Sequence, residues 1–186
     1  MKSVRPFAPA AALAACCLAA AGAAAHAGCT ARSGPQTAAL VELYTSEGCS
    51  SCPPADRQLG RLRETLGPGA LAVPLALHVA YWDAIGWKDP FAQAAFGERQ
   101  RFLVHAGGGS TSYTPQFFVG GGEVRDWPGT LARTVAAVNA TPAAADVRVA
   151  AALTPAGTLS LDAEAAARTA DGTPVLYLAV TEGGLV

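Results

Sequence analysis

Hydrophobic residues in the middle of the chain fall either into continuous apolar runs or into runs with helical spacing. Continuous runs at 38–44 and 71–79 predict two buried strands. Between them, Pro53 and Pro54 fit the first turn of a helix, and leucines recur at helical spacing as far as Leu66. The pattern that follows predicts a helix, a strand hairpin and a last helix, at 91–106, 116–126 and 128–140.

This order of elements is that of a thioredoxin-like α/β fold, which we expect over residues 38–140. The first two strands would pair in parallel through a right-handed helical crossover. Residues 81–91 follow the second strand and are rich in aromatic and charged side chains. They predict a structured loop at one end of the sheet.

The pattern changes after Thr141 and Pro142 to strand-like segments separated by turns. Three strands make a poor independent unit. We therefore expect a small β-rich region over 146–186 that is incomplete and truncated relative to a longer parent. Its predicted strands lie at Val147–Leu153, Thr158–Ala163 and Val175–Thr181.

The N-terminal segment predicts export. Two basic residues precede an alanine-rich apolar run, and a small-residue cleavage signal ends at Ala27. We expect a signal peptide over 1–27, a flexible lead-in over 28–37 and a periplasmic or secreted protein. A lipoprotein-type site at Cys16, which would add a lipid anchor, is the alternative. No later run approaches the roughly 20 apolar residues of a membrane span.

Charge and cysteine content narrow the classes of partner. The formal net charge is −1 and no lysine or arginine cluster stands out, so nucleic acid is not an expected partner. Two of the five cysteines lie in the predicted signal peptide, which leaves Cys29, Cys49 and Cys52. That number is odd, so Cys29 is either free or pairs with a cysteine that this chain lacks. No cofactor is predicted.

The candidate chemistry centres on Cys49 and Cys52, which have two serines between them and stand where a strand gives way to a helix. The positive end of a helix dipole favours a thiolate, so this placement predicts a redox-active dithiol in an exported protein, where disulfides persist. Cys49 would be the exposed thiol that attacks the substrate. Cys52 would be the thiol that resolves the resulting mixed disulfide. A permanent structural disulfide and half of a zinc site are the alternatives.

Thr114 and Pro115 come just before the predicted hairpin. In thioredoxin folds this position carries an X–Pro pair with a cis peptide bond, packed against the dithiol. Such bonds are infrequent and usually purposeful. We therefore expect Pro115 to shape a binding groove and the Thr114 backbone to pair with an extended substrate.

Three further candidates are titratable groups in or just after the two predicted strands. Glu42 interrupts an apolar run, so burial would suit it to move the Cys52 proton; alternatively it points to an exposed face. His78 or Asp83 would serve as a proton carrier in a substrate cleft lined by Trp82 and Trp87. The alternative is that these aromatic residues pack a loop and that His78 is structural.

Several joined motifs carry a family resemblance: Val41 to Asp56 around the dithiol, His78 to Asp83, Gly86 to Phe91, Arg99-Gln100 and Tyr113 to Gln116. Together they resemble secreted bacterial thioredoxin-like proteins that are classified only as a domain of unknown function. The match runs from about Ala38 to Val186, with Ala80 where the family pattern has Asp. The resemblance implies a thioredoxin-like core and a β-rich C-terminal region, and it brings no established substrate. Tyr113, next to Thr114, is a further candidate substrate-binding residue.

Three functions remain open from the sequence. The first is an exported thiol–disulfide oxidoreductase acting on protein thiols or disulfides of the cell envelope. The second is a non-enzymatic binding module in which the Cys49–Cys52 disulfide is structural and the tryptophan loop binds a partner. The third is a copper-handling protein with Cys49, Cys52 and His78 as ligands.

Overall fold

The computed structural model describes residues 28–168 and 175–184. The predicted signal peptide and the alternative lipid site at Cys16 lie outside the described residues. Within the described residues, no helix is long and apolar enough to cross a membrane. The strands are β1 (Gly28–Arg32), β2 (Ala39–Thr45), β3 (Ala72–His78), β4 (Gln116–Val119), β5 (Gly122–Val124), β6 (Ala145–Leu153) and β7 (Leu159–Ala167). The helices are α1 (Pro53–Gly60), α2 (Leu62–Leu66), α3 (Ala94–Ala106), α4 (Trp127–Asn139) and a 3-10 helix at Ala80–Ile85.

The larger sheet has the strand order β3-β2-β4-β5. Strands β2 and β3 run parallel, as predicted, and β4 is antiparallel to both β2 and β5. Side chains alternate between the two faces of a strand. Val41 and Leu43 of β2 therefore pack with α1 and α4, whereas Tyr44 packs with Leu103 of α3 on the other face. This α/β arrangement, with a separate C-terminal β region, is the predicted thioredoxin-like fold.

Two local predictions differ from the structure. The helix expected from Pro53 to Leu66 is divided at Arg61, whose backbone (φ −96°, ψ 8°) interrupts the helix between α1 and α2. Gly60, a poor helix former, precedes the break. The aromatic segment expected to be a loop begins with the 3-10 helix.

A second sheet has the order β1-β6-β7. Strand β1 pairs antiparallel with β6, from Gly28 opposite Ala152 to Arg32 opposite Arg148. The expectation of a flexible lead-in is therefore wrong for this strand, because its backbone is hydrogen-bonded to a strand far along the chain. Cys29 lies in β1 as a free, exposed cysteine. The predicted strand at Val175–Thr181 is also wrong: its residues have no regular secondary structure. Strand β1 supplies the third strand instead.

Asn139, the last residue of α4, joins this helix to the amino ends of β2 and β3. Its side-chain amide donates to the Thr37 and Leu71 carbonyl oxygens at 2.9 and 2.8 Å. Its oxygen accepts from the Leu71 amide at 3.0 Å. One side chain therefore satisfies three backbone groups where two strands enter the sheet.

We predict that Asn139→Ala lowers the free energy of unfolding by about 2 kcal/mol, because three partly solvated hydrogen bonds are lost. Urea denaturation followed by circular dichroism measures the loss. Arg133→Ala, at an exposed position of the same helix, is the control and is expected to change stability by less than about 0.5 kcal/mol. Equal effects of the two substitutions would contradict the assignment.

Candidate functional site

The dithiol lies at the amino end of α1, at the carboxyl ends of β2 and β3. Cys52 is the residue before the helix, and Pro53 and Pro54 form its first turn. Cys49 and Cys52 are joined by a disulfide. Cys49 is 2% exposed and Cys52 is fully buried. The expectation that Cys49 is exposed is therefore wrong for the disulfide form.

Two tryptophans pack next to the turn that carries Cys49. A Cβ atom placed on Gly48 would lie 3.6 Å from the Cβ atoms of both Trp82 and Trp87. The Trp82 indole N–H donates to the Thr114 hydroxyl oxygen at 2.8 Å. We call the turn at residues 46–49, which carries Cys49, the dithiol turn. Trp82 connects this turn to the segment before β4, and we call this connection the Trp82 bridge. It brings together the predicted residues Trp82, Trp87 and Thr114.

The segment at Tyr113–Pro115 is fixed by side chains from α3 and β5. Its Thr114–Pro115 peptide bond is cis. Gln100, fully buried on α3, donates to the Tyr113 carbonyl oxygen at 2.8 Å and to the Gln116 side-chain oxygen at 2.7 Å. Sequence reasoning assigned no role to Gln100, and the only signal was its place beside Arg99 in the family motif.

The Tyr113 hydroxyl donates to Glu123 of β5 at 2.7 Å. Burial, followed by the hydrogen bond to Glu123, raises the pKa of Tyr113 to about 12. Burial acts to raise the pKa of Glu123, but hydrogen bonds from Gln116, Tyr113 and Arg125 outweigh it and hold that pKa below its usual value. Tyr113 therefore stays a neutral hydrogen-bond donor, and its half-exposed ring faces solvent beside Thr114.

His78 forms a pair with a buried carboxylate, that of Asp89. Its Nδ1 lies 2.7 Å from Asp89 Oδ2, and the Asp89 side chain is 0% exposed. Asp89 also accepts the backbone N–H groups of Glu47 and Phe91, at 2.8 and 2.9 Å. The Asp83 carboxylate accepts a hydrogen bond from the backbone N–H of Asp89 at 3.2 Å, and this bond helps to fix the loop that contains both residues. Residues 81–91, which include Asp89, are called the aromatic loop below. Through Asp89 this loop is hydrogen-bonded to His78 and to the dithiol turn.

Glu42 does not fit the predicted role as proton carrier for Cys52. Its position in β2 directs its side chain to the α3 face, opposite α1. There its carboxylate accepts from Arg99 Nε and Nη2, at 2.6 and 3.0 Å, and from the Tyr44 hydroxyl at 3.2 Å. Glu42 is fully buried, so the alternative of an exposed face is also wrong. The ion pair links the sheet to α3.

Asp56 is a carboxylate on the dithiol face that sequence reasoning did not single out. It lies in the first turn of α1 and accepts from the buried Thr45 hydroxyl of β2 at 2.8 Å. The signal that points to it is its spacing, one helical turn after Cys52.

Metal chemistry has little support at this site. Across residues 28–168 and 175–184, no group of three or more His, Cys, Asp or Glu side chains is arranged to hold a metal ion. The copper set of Cys49, Cys52 and His78, and a zinc site built on the two cysteines, are therefore not assembled in the described residues.

We predict that Trp82→Phe, which keeps an aromatic ring but removes the indole N–H, increases access to Cys49. Loss of one hydrogen bond of about 1 kcal/mol would raise the open fraction roughly five-fold. The measurement is the rate of Cys49 alkylation in a variant where Cys49 is the one remaining cysteine. Thr114→Val removes the acceptor and is expected to act alike, while Trp87→Phe is the control. A rate that Trp82→Phe leaves unchanged would contradict the Trp82 bridge.

We predict a pH-dependent loss of stability for Asp89→Asn. Burial acts to raise the pKa of Asp89, but the Glu47 amide, His78 and the Phe91 amide outweigh it and lower the pKa. The Asp89 carboxylate therefore contributes fully to folding stability above its unfolded-state pKa of about 3.9. This contribution is lost as the pH falls through the lower pKa of the folded state.

Urea denaturation measures this effect at pH 7 and at a series of pH values below 4. At pH 7 the variant is expected to be about 2 kcal/mol less stable than the wild type, because charge-assisted hydrogen bonds are lost. The difference should narrow in acid as the wild-type carboxylate becomes protonated. A difference that stays constant with pH would show that the charge of Asp89 does not anchor the dithiol turn.

A model of the family described as "Protein of unknown function (DUF1223)" matches residues 40–186. No curated protein matches the chain. A protein from Agrobacterium tumefaciens with a crystal structure is similar to this chain, with 30% sequence identity and a TM-score of 0.49. The match covers 62% of this chain and 57% of that protein. The family match confirms the resemblance to a domain of unknown function, and the chain belongs to the DUF1223 family.

Proposed function

We propose that the protein is an exported thiol–disulfide oxidoreductase whose Cys49–Cys52 disulfide is reduced and re-formed during turnover. The observation that carries the proposal is a disulfide closed over two intervening residues at the amino end of α1. A thiolate at this end of a helix is stabilised by the helix dipole, which favours exchange chemistry.

The immediate surroundings of Cys49 support its role as the attacking thiol. The Ser51 hydroxyl oxygen lies 3.5 Å from Cys49 Sγ, so it is placed to donate to a thiolate there. Cys49 lies in the turn before the helix. Its own backbone N–H closes that turn by donating to the Ser46 carbonyl oxygen. Cys52 lies deeper, at the start of the helix, which suits a resolving thiol.

The reaction exchanges two electrons between two sulfur pairs. A substrate thiolate attacks Cys49 Sγ, the Cys49–Cys52 bond breaks, and Cys52 leaves with the electron pair as a thiolate. A second substrate thiolate then attacks the substrate sulfur of the mixed disulfide, which releases reduced Cys49 and an oxidised substrate. The same steps in reverse reduce a substrate disulfide, and the reduction potentials set the direction.

The aromatic loop next to the dithiol turn carries exposed side chains. Tyr81, Ile85 and Trp87 of this loop expose 43%, 72% and 61% of their surface. We propose that these side chains, with Tyr113, contact protein thiols or disulfides of the cell envelope. The predicted signal peptide supports a periplasmic or secreted location, where such substrates occur.

The burial of both cysteines favours a second candidate. A fully covered disulfide suits a permanent staple, and the exposed aromatic loop would then bind a partner without chemistry. A redox titration with a thiol-alkylating probe separates the two functions. A potential below about −300 mV would favour the staple, because the disulfide would then resist biological reductants.

We predict that Cys52→Ser accumulates mixed disulfides with exported proteins, since Cys49 can attack but no resolving thiol remains. Cys29→Ser is included in the background so that the exposed Cys29 forms no adducts. The measurement is non-reducing electrophoresis of cell-envelope extracts after acid quenching, with mass spectrometry of adducts that a reductant dissolves. Cys49→Ser in the same background is the control and should form none. Equal absence of adducts from both variants would count against the oxidoreductase.

A further inference from the structure

The carboxyl ends of β2 and β3 bring polar side chains to the face that α1 covers. Thr45 and His78 are aligned partners in the parallel ladder, so their side chains lie on the same face of the sheet. Thr45 is 1% exposed, and its hydroxyl donates to Asp56 Oδ1 of α1 at 2.8 Å. This hydrogen bond fixes the carboxyl of Asp56 against the strand end next to His78.

Asp56 and Cys52 are separated by one turn of helix. The Asp56 amide donates to the Cys52 carbonyl oxygen at 3.1 Å, and residues four apart lie on the same side of a helix. The side chain of Asp56 is exposed overall, in contrast to the fully buried Glu42 across the sheet. Asp56 is therefore a carboxyl group that is anchored near Cys52 and can still exchange its proton with water.

The charges around Asp56 suit a group that changes its protonation state. Burial of its carboxyl raises the pKa of Asp56, and Glu47 of the dithiol turn raises it further. The Thr45 hydrogen bond, His78 of β3 and Arg57 of α1 act to lower it. His78 is itself paired with Asp89. The net rise brings the carboxyl closer to the range in which it can return a proton to a thiolate.

We propose that Asp56 carries the proton of Cys52 when the disulfide opens and closes, with Thr45 as its positioning residue. This inference deepens the proposed oxidoreductase function and rests on it. The proposal assigns the acid–base role on the dithiol face to a helix carboxylate, because Glu42 lies on the other face and is paired with Arg99.

The proton transfers balance in both directions. On opening, Cys52 leaves as a thiolate and takes a proton from the Asp56 carboxyl, which becomes a carboxylate. On closing, the Asp56 carboxylate accepts the proton of the Cys52 thiol, and the resulting thiolate attacks Cys49 Sγ of the mixed disulfide. The bond between Cys49 and the substrate sulfur breaks, and that sulfur leaves with the electron pair. Water then exchanges the proton with Asp56.

The test is the ring-closure rate of the Asp56→Asn variant. Reduced protein reacts with a chromogenic aryl disulfide, Cys49 becomes a mixed disulfide, and attack by Cys52 releases a second coloured thiolate. Cys29→Ser in the background removes the exposed third thiol. Asparagine retains an oxygen that can accept from Thr45, so the variant keeps the contact between strand and helix.

We expect Asp56→Asn to slow release of the second thiolate about 10-fold at neutral pH, a modest value for a positioned acid–base group. The wild-type rate should level off at pH values where Asp56 is ionised and fall in acid as Asp56 becomes protonated. The variant should show no such plateau, because its rate then follows only the ionisation of the Cys52 thiol across the whole range. Thr45→Val is expected to slow closure by a smaller factor. Glu64→Gln, an exposed position of α2 with the same change in charge, is the control.

A closure rate and acid profile of Asp56→Asn within two-fold of wild type, at every pH measured, would overturn the role of Asp56. The outcome is separable from the proposed function, because the aryl disulfide tests the sulfur chemistry without a biological substrate. Failure of the wild-type protein to release the second thiolate at all would overturn both. A normal wild-type rate together with no trapped envelope protein would count against the cell-envelope substrate alone.

Discussion

The two-residue period of β2 determines how the site is built. Its odd-numbered residues face α1 and α4, and its even-numbered residues face α3. The strand is buried along nearly its whole length, so a shift by one residue would place Glu42 in the apolar core beneath α1. The same shift would remove Thr45 from Asp56. Register therefore fixes both the core and the Thr45–Asp56 hydrogen bond at the dithiol end.

A second constraint is the burial of Asp89. An aspartate with a fully covered side chain is costly unless every oxygen has partners, and Asp89 meets this requirement with two backbone N–H groups and His78. These partners come from the dithiol turn, from β3 and from the aromatic loop itself. The loop is thus held by a polar centre, while its apolar side chains remain partly exposed around the dithiol.

Local pattern was sufficient to predict much of the fold. Continuous apolar runs identified β2 and β3, and the glycines and Pro115 located the hairpin. The face occupied by Glu42 was not predictable, because a strand buried on both sides has no polar alternation to reveal which face α1 covers. Strand β1 was missed for a different reason: its residues are exposed, and its pairing partner β6 lies more than a hundred residues away.

Among the site residues, the dithiol and the Thr114–Pro115 segment were identified from their position relative to predicted elements. Asp89 and Gln100 were not, because their importance comes from contacts across the fold. Gln100 reaches two residues near Pro115 from α3, and Asp89 reaches the turn before Cys49 from the aromatic loop. Spacing along a single sequence carries no information about such contacts.

The pairing of β1 with β6 has a consequence for how the chain folds. As a chain is synthesised from its N-terminus, β1 is made well before its partner, with the whole thioredoxin-like domain between them. Loop-closure entropy opposes a contact over this separation until the intervening domain has become compact and brought the two segments together. The second sheet is therefore expected to assemble after the first, so that folding proceeds from the dithiol domain outward.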